Sequence, residues 1–407
     1  MNVAGIRKRL GPVYAIADQC IYSASQLLLS FALARALSPA DFGIASAFLA
    51  IVSFQYILHT AVVHEPILIR RYYASRSAAW WSWALVLGIS VAGFLAWQFA
   101  RFPGPLAWAG IALIAGYEVF WIARSMLLVG RRFLALCASG LLVCAGYVAV
   151  LIGLKPATWA EALLWIAIVQ LPFALLIAGN FGRVIAPLPA AADAQPLTIG
   201  EATSYGWKAG LSQWMSWIMT GGAILLLGSS ADAAQGGLLK IYITFLLPMQ
   251  YVLLALGYYI LPRLAAGWKT EARKEVHRLF AKFVLFGFLV AAVGGVVLGL
   301  LGPHLVVLAF GPNYAGMDFS PFFYAPAVFG LTMCLRTGFR AAGRPGALLW
   351  CSIFGALVFA ACMLATKPPI SYIQTIHAMT VGFACMAAAM IAWLFFIMRA
   401  GAAAPAR

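Results

Sequence analysis

The sequence predicts an all-α, polytopic membrane protein with about twelve transmembrane helices, and three observations indicate this class. Hydrophobic residues make up 64% of the 407 residues and charged residues only 9%, whereas soluble domains are roughly 45–50% apolar and about 25% charged. Apolar runs repeatedly approach the roughly 20 residues that a helix needs to cross a bilayer. Basic residues are concentrated in alternate loops. A water-soluble globular enzyme is therefore excluded.

Twelve candidate spans follow one another, and each must be helical because lipid offers backbone amides no other hydrogen-bonding partner. The first span resembles a cleaved signal peptide. Its apolar run is long and contains Asp18, however, so we predict that it is retained as a transmembrane helix. Span 2 begins at Ser38-Pro39-Ala40-Asp41, a cap with a first-turn proline and an acid. Trp80, Trp81 and Trp83 open span 3 as an interfacial belt. The predicted spans are residues 13–37, 41–63, 79–100, 105–128, 133–154, 159–181, 204–228, 234–261, 279–302, 319–342, 345–366 and 371–398.

The distribution of basic residues orients these spans. Of the 27 Lys and Arg residues, 21 fall on the side that carries both chain ends and 5 on the other, with Lys208 left inside span 7. Because the positive-inside bias sets orientation, both termini are predicted to be cytoplasmic. The formal net charge of +16 is then explained by loops that face anionic membrane lipids. No nucleic-acid partner is expected.

A weak internal repeat divides the twelve spans into two pseudo-symmetric six-helix lobes. The clearest match sets residues 124–131 against residues 336–344, and a Gly-Arg dipeptide closes the predicted span in both segments. Because each half contains an even number of spans, the halves share an orientation and are related by an axis along the membrane normal. The predicted organisation is an N-terminal lobe over residues 1–181, a cytoplasmic linker over 182–203, a C-terminal lobe over 204–399 and a cytoplasmic tail over 400–407.

Motifs for enzymatic chemistry are missing from the sequence. It contains no nucleotide-binding G-x-x-x-x-G-K-[ST] loop, no H-E-x-x-H zinc motif and no G-x-S-x-G nucleophile motif. The seven cysteines are odd in number, lie within apolar spans and show no C-x-x-C spacing. We therefore expect no enzyme activity, cofactor or metal site. Any uphill transport must draw on an ion gradient, the membrane potential or coupled metabolism.

Ionisable residues at membrane depth are the first candidate functional residues, since a central charge costs at least about 2.5–3.5 kcal/mol. Asp18 in span 1 and Lys208 in span 7 occupy nearly equivalent positions in the repeat. We predict that they meet across the lobe interface and gate it or contact the substrate, unless each only snorkels to the headgroups. Glu65, at the end of span 2 with His59 and His64, is a further candidate for gating or ion coupling. Single membrane histidines more often only hydrogen-bond between helices.

A second set of candidates can contact an anionic substrate. Arg336 and Arg340 are four residues apart in span 10 and share a helix face, where forked hydrogen bonds can hold phosphate oxygens. The alternative is that they only anchor a cytoplasmic helix end. Glu118 and Arg124 in span 4 are six residues apart, so they are predicted to face different neighbours. The candidate cavity residues are Lys208, Arg336, Arg340, Arg124 and Glu118.

Several short motifs resemble one known family. Ala17-Asp18-Gln19 followed by Ser25, and then Ala34-Arg35-Ala36-Leu37-Ser38-Pro39-Ala40-Asp41-Phe42-Gly43, resemble the opening of the polysaccharide flippases of the Wzx type. Phe310-Gly311-Pro312-Asn313-Tyr314 before span 10 resembles another element of that family, and a basic loop after Leu261-Pro262 also matches. The resemblance covers essentially the whole chain. It implies the multidrug/oligosaccharidyl-lipid/polysaccharide (MOP) exporter superfamily and a MATE-like fold.

The same resemblance implies a function and a location. Spans 1, 2, 7 and 8 would border a central cationic cavity, and the protein would flip an undecaprenyl-pyrophosphate-linked oligosaccharide by alternating access. The expected location is the bacterial inner membrane, and the expected partners are the lipid-linked glycan, membrane lipids and the glycosyltransferase and polymerase machinery of surface or exopolysaccharide synthesis.

Two other functions are alternatives. A cation-coupled multidrug exporter of the same superfamily would use Asp18 as its coupling site. An integral-membrane polysaccharide polymerase or acyltransferase belongs to a different class and would need a sizeable outer loop or a clustered His/Asp/Arg site, whereas the predicted outer loops are short. A major-facilitator carrier shares the six-plus-six plan, but residues 65–78 lack the Gly and Asp-Arg pattern expected after its span 2.

Overall fold

The computed structural model describes residues 3–60, 84–95, 107–129, 132–184, 199–268, 273–342 and 344–403. Within these ranges the regular secondary structure is helical and no strand occurs, which confirms the predicted all-α class. The α-helices are α1 (Val3–Ala36), α2 (Pro39–His59), α3 (Ala84–Leu95), α4 (Ala107–Val129), α5 (Phe133–Val148), α6 (Trp159–Val184), α7 (Ile199–Trp217), α8 (Ala223–Gly228), α9 (Ala234–Trp268), α10 (Arg273–Phe310), α11 (Ala325–Ala341), α12 (Pro345–Ala365) and α13 (Tyr372–Ala403).

Each of the twelve predicted spans coincides with a helical segment, and α7 and α8 together form span 7. Among the described residues, six helical segments are long and apolar enough to cross a membrane. Large apolar side chains also remain exposed, including Leu364 at 87% and Trp350 at 71%, as expected for surfaces that face lipid. The candidate spans are Pro39–His59, Leu134–Leu154, Ala234–Leu254, Glu275–Phe310, Pro345–Ala365 and Tyr372–Phe396.

The start of α2 shows how local sequence defines a helix end. Ser38 is the N-cap residue, and its hydroxyl oxygen accepts a hydrogen bond from the backbone N–H of Asp41 at 3.1 Å. The same hydroxyl donates to the Asp41 carboxylate at 2.7 Å, and Pro39 occupies the first turn. These contacts satisfy groups that a helix N-terminus otherwise leaves without partners. The cap predicted from the sequence is confirmed.

Two π-helical segments interrupt the regular helices. α5 continues as a π-helix over Ala149–Leu154 and ends at Lys155, whose φ of 45° is left-handed. A second π-helix, Ile218–Gly222, joins α7 to α8. There the Trp217 indole lies so close to Gly221 that a side chain at Gly221 would overlap the ring. Such π segments are rare and frequently occur at functional sites.

The chain forms two compact units. The first comprises Met1–Gly210 and Ile224–Lys240, and the second comprises Leu211–Ala223 and Ile241–Arg407. In the first unit α4 packs along α6 and α1 packs along α5. In the second unit α12 packs along α13 and α10 packs along α11. The lobe boundaries and the 182–203 linker inferred from the sequence stay predictions, and residues 185–198 lie outside the described ranges.

The element Phe310-Gly311-Pro312-Asn313-Tyr314 forms a tight corner after α10. Gly311 has a φ of 107°, a conformation that favours glycine, and a short 3-10 helix, Pro312–Tyr314, follows it. The Phe310 ring packs against Phe245 at 5.5 Å and against Tyr314 at 6.4 Å between ring centroids. Both Phe310 and Tyr314 are buried. The motif therefore anchors the end of α10 in the core of the second unit.

Candidate functional site

A buried polar cluster joins α2 to α4 in the first unit. His59 and Glu118 are 1% and 2% exposed, and His59 Nδ1 lies 3.1 Å from Glu118 Oε1. The other ring nitrogen, Nε2, lies 3.0 Å from Ser125 Oγ. Gln55 donates from Nε2 to Glu118 Oε2 at 2.8 Å and to the Ile114 carbonyl oxygen at 2.9 Å. We refer to Gln55, His59, Glu118 and Ser125 as the His59–Glu118 cluster.

Helical spacing explains why these four side chains meet. Gln55 and His59 are four residues apart on α2, and Glu118 and Ser125 are seven residues apart on α4. Residues at these spacings lie on one face of a helix. When the two faces pack together, an amide and an imidazole on α2 are placed opposite a carboxylate and a hydroxyl on α4. The geometry of the cluster is thus set by two rigid helices.

The cluster satisfies the buried carboxylate of Glu118. Both of its oxygens accept hydrogen bonds, one from Gln55 and the other from the His59 ring. The His59 ring and the Glu118 carboxylate lie within salt-bridge distance of each other, at 3.1 Å. Buried charges persist in proteins when they are paired and hydrogen-bonded. The arrangement holds an ionisable pair away from water without leaving the carboxylate unsatisfied.

Arg124 lies further along α4 in an enclosure of aromatic rings. Its guanidinium carbon is 4.8 Å from the centroid of Tyr22 on α1, 5.5 Å from that of Phe120 and 5.9 Å from that of Trp121. A guanidinium at such distances is attracted by the ring quadrupole. Arg124 is 9% exposed, so its positive charge belongs to the core of the first unit. As predicted, Arg124 and Glu118 contact different neighbours.

A second polar cluster connects α4, α5 and α6. The Tyr117 and Tyr147 hydroxyls are 2.9 Å apart, and Gln170 Nε2 donates to the Tyr147 hydroxyl oxygen at 2.5 Å. All three residues are buried, at 1%, 1% and 0% exposure. The cluster fixes the mutual rotation of the three helices.

Removing the Tyr147 hydroxyl is expected to destabilise the first unit. Tyr147→Phe leaves the buried Gln170 amide without its acceptor, and an unsatisfied buried donor costs about 1–3 kcal/mol. Thermal unfolding in detergent, followed by loss of the monodisperse peak in size-exclusion chromatography, measures the effect. Tyr56→Phe is the matched control because the Tyr56 side chain is 40% exposed. Equal midpoints for the two variants would contradict the prediction.

The candidates from the sequence are distributed over both units. Glu118 and Arg124 are buried in the first unit. Arg336 and Arg340 lie half-buried, one turn apart on α11 of the second unit. Lys208 is exposed on α7. Their roles in substrate binding stay predictions.

The structure does not describe the side chains of two of the gating candidates. Asp18 belongs to α1, but its side chain is not among the described ones, and Glu65 falls in the range 61–83. The proposed pairing of Asp18 with Lys208 and the coupling role of Glu65 therefore stay predictions.

The sequence interpretation missed the pairing of His59 with Glu118. It placed His59 at the end of span 2 beside Glu65 and treated Glu118 separately as a cavity residue. The available signal was the pair Gln55 and His59, two polar residues at helical spacing in an otherwise apolar segment. Such spacing predicts a polar stripe on α2, although it does not identify the partner helix.

Comparison with known proteins shows that the fold of this chain is similar to that of several solved structures. No family profile matches the chain, and no curated protein matches it either. The solved structure of a mutant of the MATE transporter VcmN from Vibrio cholerae superposes with a TM-score of 0.60 and 15% identity, covering 98% of both chains. An outward-facing multidrug resistance MATE family transporter of the MOP superfamily gives a TM-score of 0.61 and 14% identity, covering 97% of this chain and 96% of that one.

A flippase structure shows the same likeness. The lipid II flippase MurJ, in an inward closed conformation, superposes with a TM-score of 0.69 and 11% identity, covering 94% of this chain and 87% of that chain. At identities this low the likeness concerns the fold. The chain therefore has the MATE-like, polytopic membrane fold that the MOP superfamily transporters share.

Proposed function

We propose that this protein is a transporter of the MOP superfamily that flips a lipid-linked oligosaccharide across the bacterial inner membrane by alternating access. The substrate would be an undecaprenyl-pyrophosphate-linked repeat unit for surface or exopolysaccharide synthesis. The observation that carries this proposal is the likeness to the lipid II flippase over 94% of the chain, with a TM-score of 0.69. The Wzx-like motifs in the sequence support the same substrate class.

The chemistry of the candidate residues suits a pyrophosphate headgroup. Arg336 and Arg340 sit one turn apart on α11 and are half-buried. Guanidinium groups on one helix face can hold phosphate oxygens through charge-assisted, forked hydrogen bonds. Lys208 is an exposed cation on α7 of the first unit. We assign phosphate binding to Arg336 and Arg340 on α11, and gating to Asp18, Lys208 and Glu65.

A multidrug exporter is the second candidate function. The structure of a multidrug resistance MATE family transporter aligns with 97% of this chain at a TM-score of 0.61, and that of the MATE transporter VcmN aligns with 98% at 0.60. A buried acid, Glu118, is also compatible with attracting a cationic drug. The two functions differ in the charge of the substrate, so substrate competition can separate them.

Reconstituted protein tests the flippase directly. Purified protein is placed in liposomes that contain a fluorescent undecaprenyl-pyrophosphate oligosaccharide, and a membrane-impermeant reductant bleaches the label in the outer leaflet. We expect the inner-leaflet label to become accessible at a rate that depends on the protein, while a labelled phosphatidylcholine stays protected. A deletion strain should correspondingly lose surface polysaccharide and retain lipid-linked units in the inner leaflet.

Arginine variants connect the activity to the proposed headgroup contacts. Arg336→Gln combined with Arg340→Gln is expected to slow flipping about tenfold or more, because a hydrogen bond to a charged group contributes about 1.5–3 kcal/mol. Lys282→Gln is the matched control, since Lys282 is an exposed basic residue on α10. An unchanged rate in the arginine double variant would remove those residues from the headgroup site. Protein-dependent uptake of ethidium without lipid flipping would select the drug exporter.

A further inference from the structure

We propose that one end of the second unit binds a pyranose sugar on a flat surface formed by the Tyr324 and His377 rings, which we call the Tyr324–His377 platform. Tyr324 is the N-cap residue of α11, and His377 lies in the second turn of α13. The distribution of basic residues predicts that both of these helix ends face the outside. The inference rests on the proposed function for the source of its ligand, since the sugar would arrive as part of the lipid-linked oligosaccharide.

The two rings lie side by side in nearly one plane. Their planes differ by 2°, their centroids are 5.7 Å apart, and the Tyr324 hydroxyl oxygen is 2.7 Å from His377 Nδ1. Each of these two atoms lies in the plane of its own ring, so the planes are separated by no more than the length of that hydrogen bond. Rings in face-to-face contact need about 3.5 Å or more between their planes. The hydrogen bond therefore joins two ring edges, and the pair extends as one flat surface.

The platform is accessible from outside the unit. Tyr324 is 36% exposed, and His377 is exposed as well. Single aromatic rings near a membrane surface commonly serve only to anchor a helix among the lipid headgroups. Anchoring does not require a second ring held in the same plane, and holding two side chains in one geometry has an entropic cost. The paired arrangement therefore favours a binding surface that is formed in advance.

A hydrogen-bond donor lies at the edge of the platform. When the Tyr324 hydroxyl donates to Nδ1, the neutral His377 ring carries its proton on Nε2 and can donate it to a ligand. Asp318 adds an exposed carboxylate beside the start of the same helix, because its backbone N–H donates to the Tyr372 hydroxyl oxygen at 2.7 Å. Tyr372 and His377 are five residues apart on α13, which corresponds to a rise of about 7.5 Å. An apolar face, a donor and an acceptor thus occur close together.

The carboxylate of Asp318 is oriented and still able to accept. Its Oδ1 accepts a hydrogen bond from the Ser320 backbone N–H at 2.8 Å, and its Oδ2 accepts one from the Ser320 hydroxyl at 3.0 Å. A carboxylate offers about four acceptor positions in all. Both oxygens can therefore accept a further hydrogen bond from a ligand hydroxyl without giving up the bonds that fix them.

The segment that carries Asp318 is anchored by buried rings. Residues 311–324 connect α10 to α11 and contain two short 3-10 helices. Phe319 and Phe322 are buried, and their rings stack with centroids 5.4 Å apart. Both rings also pack against Phe245 of α9, at 6.0 Å and 6.1 Å between centroids. A connection fixed in this way presents its exposed polar groups in a constant geometry, as a binding site requires.

A pyranose ring matches this combination of groups. The C–H groups on one face of such a sugar can pack on the electron-rich face of an aromatic ring, while the hydroxyls at its edge both donate and accept hydrogen bonds. A phosphate group fits less well, because the Asp318 carboxylate repels an anion. The platform is therefore assigned to the glycan part of the substrate, separately from the arginines assigned to the pyrophosphate.

Saturation-transfer NMR on the full-length protein in lipid nanodiscs tests sugar binding directly. The probes are the methyl glycosides of glucose, galactose and N-acetylglucosamine, and sorbitol is the negative probe because it has the hydroxyls without the ring. We expect transfer to the C–H protons of at least one glycoside and none to sorbitol. His377→Ala should weaken glycoside binding about fivefold, since half of the stacking surface is lost. Tyr324→Phe keeps both rings and loses the hydrogen bond between them, so a smaller loss is expected.

Trp350→Ala is the matched control. It removes a ring that is 71% exposed on α12 of the same unit and takes no part in the platform. This variant should bind the glycosides as the wild type does. Binding that falls equally in Trp350→Ala and His377→Ala would indicate unspecific contact with exposed rings and would overturn the proposal. The absence of transfer to any glycoside in the wild type, or unchanged binding in His377→Ala, would overturn it as well.

The binding measurement needs no transport, so this proposal and the proposed function can fail separately. Lipid flipping by a protein that binds no glycoside contradicts the sugar site and leaves the flippase intact. Glycoside binding at the platform by a protein that flips no lipid contradicts the flippase and leaves the sugar site intact.

Discussion

Replacing Gly43 with alanine is expected to destabilise the first unit by about 3 kcal/mol, through steric overlap in a well-packed contact. Gly43 lies in the second turn of α2, and a methyl group there would overlap the backbone carbonyl oxygen of Ala233. The Gly237 backbone nitrogen lies 3.3 Å from the same position. No flexible side chain can move aside, because the obstructing atoms belong to the backbone. The two segments must separate or the helix must shift.

The surrounding glycines leave little room for such a shift. A side chain on Gly228 would meet the Gly43 carbonyl oxygen at 2.5 Å and the Ala47 side chain at 2.9 Å. One on Gly236 would lie 2.5 Å from the Gly228 backbone nitrogen. Backbone therefore contacts backbone on both sides of Gly43, as in membrane helices that pack through small residues. The substitution should disturb all of these contacts together.

A control glycine isolates the steric effect. For Gly88 on α3, no atom of the described residues beyond its own helix backbone lies within 4 Å of the position that a new side chain would take. Since alanine favours helix by about 1 kcal/mol over glycine, Gly88→Ala should leave stability unchanged or raise it. Thermal midpoints in the same detergent compare the two variants. Equal midpoints for Gly43→Ala and Gly88→Ala would show that the close contact does not contribute to stability.

Local signals in the sequence predicted the helices well. The Ser38 cap and the start of α2 follow from residues within four positions of one another, so no knowledge of tertiary structure is needed. The order of the spans follows from the length of the apolar runs, and each run has a helix in the structure. The prediction that Glu118 and Arg124 face different neighbours followed from the periodicity of a single helix. These features depend on neighbours in sequence.

Contacts between helices were not predictable in the same way. His59 and Glu118 are 59 residues apart, and their meeting depends on how α2 and α4 are rotated against each other. The apolar character of both spans conceals that rotation, since lipid-facing and buried surfaces are equally hydrophobic. The aromatic enclosure of Arg124 likewise requires Tyr22 from another helix. The substrate roles of Arg336, Arg340 and Lys208 depend on a ligand and stay predictions.

Truncation of Glu118 is expected to be the most damaging single change in the polar core. Glu118→Ala leaves the His59 ring and the Gln55 amide buried without the carboxylate that accepts from both. Leaving a buried donor without its acceptor costs about 1–3 kcal/mol, and this change leaves two such donors. Glu118→Gln retains an amide of the same shape and should lose much less. Thermal unfolding of the two variants in detergent measures the difference.

A double substitution distinguishes an unsatisfied partner from a simple loss of volume. The stability lost in Glu118→Ala could come from a His59 ring left without its hydrogen-bond acceptor. In that case, adding His59→Phe should restore part of it, since an apolar ring needs no acceptor. If the cost comes from a cavity, the second substitution should restore nothing, because the space left by the glutamate remains. Thermal midpoints for Glu118→Ala, His59→Phe and the double variant decide between these causes. A double variant less stable than Glu118→Ala alone would mean that the cluster contributes to stability through Ser125 and Gln55 rather than through the pair itself.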